Sequence, residues 1–257
     1  MPDVAIFLGP SLSIEEAQTI LPSFVSTPRN DADTHRHSPS VTVQYYPPVR
    51  RGEITALLSR AEVPAVIGII DGLFLETAAV GHREILSALR QGVKVIGSSS
   101  MGALRAFELE SLGMIGIGEI FHLYRSGTIE SDDEVALVCD PFSYVALSEP
   151  LVHIRITLEK LMNCGLITPF EREILFKCAK QRYYPERTWS QLFEDLFSGP
   201  PPDTTVPLSP ERIKELITLC QTYAVDQKRD DAISLLSYVR DMCIDNHGSG
   251  AMTDNNA

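Results

Sequence analysis

The sequence is poor in basic side chains and in long apolar runs. Its 257 residues carry 22 lysines and arginines against 34 aspartates and glutamates, which gives a formal net charge of −12 at pH 7. This deficit argues against sequence-independent binding of nucleic acid and against binding to an anionic membrane, because both need a basic surface. No apolar run reaches the roughly 20 residues of a membrane-spanning helix, and the opening MPDVAIFLGP lacks the basic region of a signal peptide. A cytoplasmic globular protein is therefore predicted.

Cysteine and histidine are also scarce, and they are scattered. The five cysteines include no CxxC pair, and an odd, dispersed set favours reduced thiols over a disulfide framework. The six histidines show no metal-site spacing such as HExxH. The sequence therefore predicts no metal site and no bound cofactor.

What the sequence does contain is a regular alternation of short apolar runs and amphipathic segments. The run Ala65–Ile70 has no polar alternation, which is typical of a central parallel strand covered on both faces. Strands and helices that alternate at this spacing predict an α/β fold, with a mostly parallel, Rossmann-like sheet flanked by helices. The predicted strands are Val4–Leu8, Val41–Tyr46, Ala65–Ile70 and Val93–Ile96, and the predicted helices between them are Ile14–Leu21, Gly52–Arg60 and His82–Arg90.

The strand signals end after about Pro141, where helical periodicity takes over. The expected division is an α/β core domain at residues 1–150 followed by an all-helical C-terminal region at 151–245. The proline-rich stretch 198–210 is predicted to be a linker inside that region. Residues 246–257 are predicted to be a disordered tail.

Ser100 is the main candidate for a catalytic residue. It follows the strand Val93–Ile96 and lies where a helix begins, so that unpaired backbone N–H groups and the helix dipole can stabilise negative charge. Strand, turn and helix, with Gly102 two positions on, resemble a nucleophile elbow, although Ser98 stands in the place of the first glycine of GxSxG. The alternative role for Ser100 is a helix cap, and Ser98 and Ser99 are predicted to be cap or turn residues.

A nucleophilic serine needs a base, and the residues around the predicted sheet edge offer few. His82, at the start of a predicted helix, is the candidate base or a simple cap. Asp71, at the end of a buried strand, could orient a base or form a turn. Arg83 cannot take up a proton at ordinary pH but could bind an anion. Arg105 is predicted either to pair with an acidic residue such as Glu108 or to dock a ligand.

Two further stretches resemble ligand-binding motifs. Gly116 and Gly118 lie in LGMIGIGEI, which looks like a phosphate loop, but no GKS or GKT follows. The acidic run Asp132–Glu134 either ligates Mg²⁺ or caps a helix that begins at Val135.

Seven motifs in one order resemble the TfuA-like proteins, and together they cover about the first 150 residues. The later stretch FSYVALSEPLVHIR looks similar too. The motifs are FLGPS (Phe7–Ser11), YYPPVRRGEI (Tyr45–Ile54), IGIIDGLF (Ile67–Phe74), GHREIL (Gly81–Leu86), GSSSMGALRAFEL (Gly97–Leu109), GMIGIGEIF (Gly113–Phe121) and the GxIxxDDEVAL stretch from Gly127 to Leu137.

The resemblance implies a role in modifying ribosomally synthesised peptides. TfuA-like proteins accompany YcaO enzymes, which use ATP to activate a peptide backbone amide, and together they install sulfur as a thioamide. The TfuA-like partner is understood to engage a ThiS-like, ubiquitin-fold sulfur carrier, to hydrolyse its C-terminal thiocarboxylate and to release sulfide, so that it takes part in sulfur transfer.

The resemblance also implies a hydrolase-like site with a Ser–Lys pair. The serine maps onto Ser100, but Arg83 stands where many relatives have a lysine, and Lys94 is the only lysine in the core region. His82 is therefore the fallback base. Contacts to partner or substrate are expected from the serine turn, the following helix and the glycine-rich stretch, namely Ser99, Gly102, Arg105, Gly116 and Gly118.

Two other functions stay open at this point. The chain could be a non-catalytic adaptor that docks the YcaO enzyme and its peptide, or a generic small-molecule hydrolase. The sequence does not identify the modified peptide, the carrier or the oligomeric state.

Overall fold

The computed structural model of the chain contains two compact units. We call the described residues of 1–128 and 229–257 the sheet unit, and those of 129–228 the helical unit. The described residues are 3–26, 40–74, 78–198 and 208–245.

The sheet unit is built on six strands in the order β2-β3-β1-β4-β5-β6. β2 pairs antiparallel with β3, and every other pairing in this sheet is parallel. The mostly parallel α/β fold is thereby confirmed. The strands are β1 (Val4–Phe7), β2 (Phe24–Ser26), β3 (Ser40–Tyr46), β4 (Val66–Ile69), β5 (Lys94–Ser98) and β6 (Ile115–Ile117).

The central strands follow from their composition. Every residue of β1 and β4 is buried, as their unbroken apolar sequences predict for parallel strands covered on both faces. The sequence did not reveal β2 and β6, because each has only three residues and β6 has Gly116 at its centre.

Helices cover the sheet. Ser13 caps the first of them by accepting a hydrogen bond from the Glu16 amide at 3.1 Å. The helices are α1 (Ile14–Ile20), α2 (Glu53–Leu58), α3 (His82–Arg90), α4 (Met101–Leu109) and α5 (Glu119–Arg125), followed far along the chain by α10 (Gln227–Asp245).

The last helix belongs with the sheet and not with the other C-terminal helices. Leu235 and Leu236 of α10 lie in one buried apolar cluster with Val4 and Ile6 of β1. The compact units therefore divide at 128/129 and 228/229, whereas the apolar pattern of the sequence placed a single boundary near residue 150.

The helical unit packs four helices around its own apolar core. Thr168 and Glu171 form a reciprocal capping box at the start of its second helix, with Pro169 in the first position. Its helices are α6 (Leu151–Asn163), α7 (Pro169–Gln181), α8 (Trp189–Ser198) and α9 (Pro210–Tyr223). Together with α10, which packs in the sheet unit, they are the helices that the sequence predicts after residue 150.

Parts of the predicted linker and the predicted tail lie outside the described residues, at 199–207 and 246–257. Within the described ranges, no helix combines the length and the apolar character that crossing a membrane requires.

Candidate active site

The sheet changes winding direction at β1, and polar side chains gather at that point. β1 lies between β3 and β4, so the chain leaves β1 toward one side of the sheet and returns to the other. Open α/β sheets bind ligands at the carboxyl ends of the strands beside such a switch. Ser11, Asp71 and Ser99 follow β1, β4 and β5 at this edge.

Asp71 is buried and fully engaged by neutral donors. Its Oδ2 accepts hydrogen bonds from the amides of Gly9 at 2.9 Å and Ser11 at 3.0 Å, and its Oδ1 accepts one from the Ser11 hydroxyl at 2.6 Å. The turn after β1 therefore wraps the carboxylate that follows β4. Asp71 thus contacts a serine of the FLGPS motif, and its role in orienting a base stays a prediction.

The three serines Ser98–Ser100, which we call the serine turn, connect β5 to α4. Ser99 has a φ of 66°, the left-handed conformation that residues with a side chain rarely adopt. Its hydroxyl donates a hydrogen bond to the Ser11 hydroxyl at 2.9 Å. Ser99, Ser11 and Asp71 thus form a series of hydrogen bonds that is buried throughout.

Two glycines let α4 lie directly on the sheet behind this turn. A Cβ at Gly102 would come within 1.8 Å of the Ile69 carbonyl oxygen, and a Cβ at Gly97 within 2.1 Å of the Gly102 carbonyl oxygen. Gly102 therefore serves helix packing. Gly97 stands two positions before Ser99, in the place of the first glycine of GxSxG, whereas Gly102 takes the place of the second glycine only when the pattern is centred on Ser100. Neither serine has both glycines.

Ser100 lies at the start of α4, where the sequence predicted it. It is the N-cap residue of this helix, as the alternative role predicts, but its side chain makes no capping hydrogen bond. Its amide and that of Gly102 both donate to the Ile70 carbonyl at 3.3 Å. The Met101 amide between them has no acceptor among the described residues, which leaves a donor at the helix start.

The two basic candidates from α3 lie elsewhere. His82 is about half exposed, and its Nε2 lies 2.8 Å from Glu108 Oε2, near the C-terminal end of α4. Eight residues of helix separate Glu108 from Ser100, or about 12 Å along the axis. Arg83 is exposed. The structure thus brings neither side chain to the serine turn.

Arg105 takes the structural role that the sequence analysis offered as one of two. Its Nη1 lies 2.5 Å from Glu108 Oε2, and its Nε donates to the Val80 carbonyl at 3.1 Å. These bonds tie α4 to the segment before α3, and they account for an arginine with little exposed surface.

Lys94 lies at the wrong end of its strand to act on the serine turn. It begins β5, whereas Ser99 follows the end of that strand, about 16 Å away at 3.3 Å per residue. Its ammonium group contacts the Met242 sulfur at 3.8 Å. The only lysine of the predicted core domain is therefore separated from the serines.

The glycine-rich stretch packs against the chain itself. A Cβ at Gly116 would overlap the Phe121 ring at 2.2 Å, and one at Gly118 would lie 2.4 Å from the carboxyl carbon of Asp231. That carboxylate accepts from the amides of Glu119 and Ile120 at 2.9 and 2.8 Å. Asp231 of α10 thus occupies the place that a phosphate would take at the start of α5.

The same aspartate reaches the serine turn through its backbone. The Ser98 hydroxyl donates to the Asp231 carbonyl at 2.8 Å. Ser98 is therefore a structural anchor between β5 and α10, and the sequence gave no signal for a contact across 133 positions.

The acidic run at 132–134 does not cap a helix that begins at Val135. It forms a short 3₁₀ turn of its own, and the next helix begins at Leu151. Glu134 pairs with Arg155 at 2.5 Å, and Asp133 pairs with Arg187 at 2.8 Å. In the described residues no group of three or more histidine, cysteine, aspartate or glutamate side chains could hold a metal ion.

Comparison with known proteins identifies the domain. A family model described as TfuA-like protein matches residues 71–188, from Asp71 through the serine turn and into the helical unit. The chain carries a TfuA-like domain. No curated protein matches the sequence. The resemblance drawn from the motifs is thereby confirmed, and Ser11 lies upstream of the matched TfuA-like segment.

Proposed function

We propose that this protein is an accessory protein of YcaO-dependent backbone thioamidation, and that it hydrolyses the C-terminal thiocarboxylate of a ThiS-like sulfur carrier. The sulfide that is released supplies the cytoplasmic YcaO enzyme, which activates a peptide amide with ATP. The TfuA-like domain supports the association with a YcaO system. The hydrolytic step is supported by the serine turn.

One observation carries the hydrolytic assignment. A serine hydroxyl lies on a strained turn at a helix start and is hydrogen-bonded in series to a buried carboxylate. Hydroxyl nucleophiles in proteins require an adjacent proton acceptor, and strained backbone clusters at active sites. The position at the carboxyl edge of the sheet is the usual place for a ligand in this fold.

The reaction that fits this arrangement is acyl transfer. A serine oxygen attacks the thiocarboxylate carbon, the C–S bond breaks, and sulfur leaves as hydrosulfide with the serine proton. Water then attacks the ester, restores the serine and leaves the carrier with a carboxylate. The Met101 amide is positioned at the helix start to donate to the oxyanion that forms in both steps.

The serine turn is closed in this structure. Ser99 has no exposed surface, and Ser100 is 2% exposed. A carrier tail therefore reaches the turn only after the residues that cover it move. A closed site of this kind protects an acyl intermediate from solvent until a partner opens it.

The adaptor function is the second candidate, and one surface feature favours it. Phe142 is 91% exposed, and Val145 and Leu147 are more than half exposed on the same loop of the helical unit. The Asp140 carboxylate holds that loop by accepting from the amides of Phe142 and Ser143. An ordered loop with exposed apolar side chains is suited to protein contact.

The test is sulfide release from a purified ThiS-like thiocarboxylate, with and without the YcaO enzyme. The wild type is compared with a double variant, Ser99→Ala with Ser100→Ala, and with the matched control Ser59→Ala, an exposed serine of the same unit. We expect release above the carrier's own rate from the wild type and the control, and none from the double variant. Circular dichroism checks that the double variant is folded.

Two other outcomes would contradict the hydrolytic assignment. If the wild type releases no sulfide even with the YcaO enzyme present, but binds that enzyme and stimulates thioamidation with added sulfide, the protein is an adaptor. Release that persists in the double variant would remove the serine turn from the chemistry.

A further inference from the structure

We propose that Ser99 is the nucleophile of the serine turn and that Ser11 transfers its proton to Asp71. The choice of substrate rests on the function proposed above, whereas the choice of residues rests on geometry alone. This assignment replaces both the serine and the base that the sequence suggested.

The direction of the hydrogen bonds follows from what each group can donate. An ionised carboxylate only accepts, so the bond between Ser11 Oγ and Asp71 Oδ1 uses the single proton of the Ser11 hydroxyl. Ser11 can then only accept from Ser99, whose own proton must point toward it. The lone pairs of the Ser99 oxygen are therefore turned away from the relay and are available to an electrophile.

The backbone singles out the same residue. Ser99 is the residue of the turn with positive φ, a conformation that brings Cβ too close to the following carbonyl oxygen in an L-amino acid. Glycine would adopt it without strain. The chain thus keeps a side chain at a strained position, and the hydroxyl of that side chain makes the hydrogen bond to Ser11.

Ser100 has no comparable connection. No described hydrogen bond joins its hydroxyl to a base, and its amide is directed to the Ile70 carbonyl. Ser98 is excluded because its hydroxyl donates to the Asp231 carbonyl, which cannot accept a proton in catalysis. Among the three serines, only Ser99 is linked to a carboxylate.

The proposed step is an acyl transfer to Ser99. The Ser99 oxygen forms a bond to the thiocarboxylate carbon as its proton moves to Ser11 and the Ser11 proton moves to Asp71. When the C–S bond breaks, Ser11 passes that proton to the departing sulfur and takes its own proton back from Asp71. Water then hydrolyses the ester, and the net change is thiocarboxylate plus water to carboxylate plus hydrogen sulfide, without an oxidant or a metal.

Single substitutions of the turn separate this proposal from the earlier assignment. Ser99→Ala keeps the left-handed strain and Ser99→Gly relieves it, yet both should lower sulfide release by about 10³-fold or more. Ser100→Ala should lower it by less than about tenfold. Ser11→Ala should cost about 10²-fold, the lower end for loss of a general base, and Ser11→Thr, which keeps a hydroxyl, should recover part of the rate.

A covalent probe tests the residues independently of the substrate. Because the serine turn is closed, the intact protein is treated with a small alkyl fluorophosphonate both alone and with the YcaO enzyme and the carrier protein present. The labelled residue is located by peptide mass spectrometry. We expect the label on Ser99, with slower labelling in Ser11→Ala and in Asp71→Asn. This result would stand even if the protein released no sulfide, in which case only the proposed substrate would be wrong.

Three results would overturn the assignment. They are a label on Ser98 or Ser100 or no label at all, labelling of Ser11→Ala at the wild-type rate, and sulfide release that depends on Ser100 and not on Ser99. Thermal unfolding of each variant checks that a loss of rate is not a loss of fold.

Discussion

The two units bury charged groups in opposite ways. In the sheet unit, Asp71 and Glu84 are buried, and the donors described for them are backbone amides and hydroxyls. In the helical unit, three buried charged residues form ion pairs with a residue of opposite charge, and the buried Lys228 donates to the Val135 carbonyl. These pairs are Glu134 with Arg155, Glu171 with Arg212, and Arg187 with Asp133.

The surroundings of the buried carboxylates differ between the two units, and this difference suits them to different roles. A carboxylate held by neutral donors keeps its negative charge uncompensated beside the hydroxyls and amides that it contacts, whereas the charge of one paired with an arginine is compensated within the pair. Under the proposed function, the sheet unit holds the reacting groups and the helical unit is a scaffold. Substitutions in the two units should therefore lower the free energy of unfolding by different amounts.

The largest effect is expected at Arg187. Its side chain is fully buried, and it donates to the Asp133 carboxylate and to the carbonyls of Ala179 and Arg182. Arg187→Met removes these donors, at a cost of about 1–3 kcal/mol to the free energy of unfolding for each buried acceptor left unpaired. It also separates Asp133 from its partner, which adds less because that carboxylate is partly exposed. Urea unfolding measured by Trp189 fluorescence should shift to lower urea.

The single tryptophan makes this readout specific for the helical unit, since Trp189 stacks on Phe193 there. Arg182→Met is the matched control, because its bidentate pair with Asp195 lies at the surface and is worth about 0–1 kcal/mol. Equal losses in the two variants would contradict the importance given to burial.

A smaller effect is expected from Gly102→Ala in the sheet unit. The added Cβ would lie 1.8 Å from a backbone oxygen, so α4 must move off the sheet at the serine turn, at about 1–3 kcal/mol. Cys243, in the apolar core of this unit, should become open to alkylation at lower urea, while Cys178 and Cys220 of the helical core should not. Mass spectrometry follows each thiol separately.

Burial makes these thiols good reporters, since it raises the pKa of Cys178 to about 11 and that of Cys220 to about 12, and thiols react as thiolates. Gly81→Ala is the control, because its Cβ meets nothing closer than 3.6 Å. If all three thiols respond together to Gly102→Ala, the units do not unfold separately.

The sequence predicted the sheet better than the site. Unbroken apolar runs mark β1 and β4, and a capping serine marks the start of α1, because these signals are local. The relay of Ser99, Ser11 and Asp71 spans 88 positions, and no periodicity connects them. Gly97 and Gly102 do not single out one serine either, because each fits the elbow pattern around a different residue.

The contacts of Asp231 also could not be predicted from the sequence, because they join residues that lie far apart along the chain. The glycine-rich stretch looks like a phosphate loop because both need close approach of a negative group to a helix start. Only the fold reveals that α10 supplies that group from within the chain, more than 110 residues away.

The smallest effect is expected from acid, and it tests whether the ion pairs of the helical unit are structural. The side-chain hydrogen bond from Arg212 is the main cause that holds the pKa of Glu171 below its ordinary value. A carboxyl group with a lowered pKa in the folded chain stabilises the fold above its unfolded pKa of about 4.3, and this stabilisation is lost as the pH falls through the folded value. The free energy of unfolding, measured in urea by Trp189 fluorescence, should therefore fall below about pH 5, by about 1 kcal/mol for this pair.

Glu171→Gln should remove that part of the pH dependence, whereas Glu173→Gln, at an exposed neighbouring position, should leave it. An unchanged acid response in Glu171→Gln would show that the pair with Arg212 contributes nothing to stability, and the contrast between the two units would then rest on Arg187 and Glu134 alone.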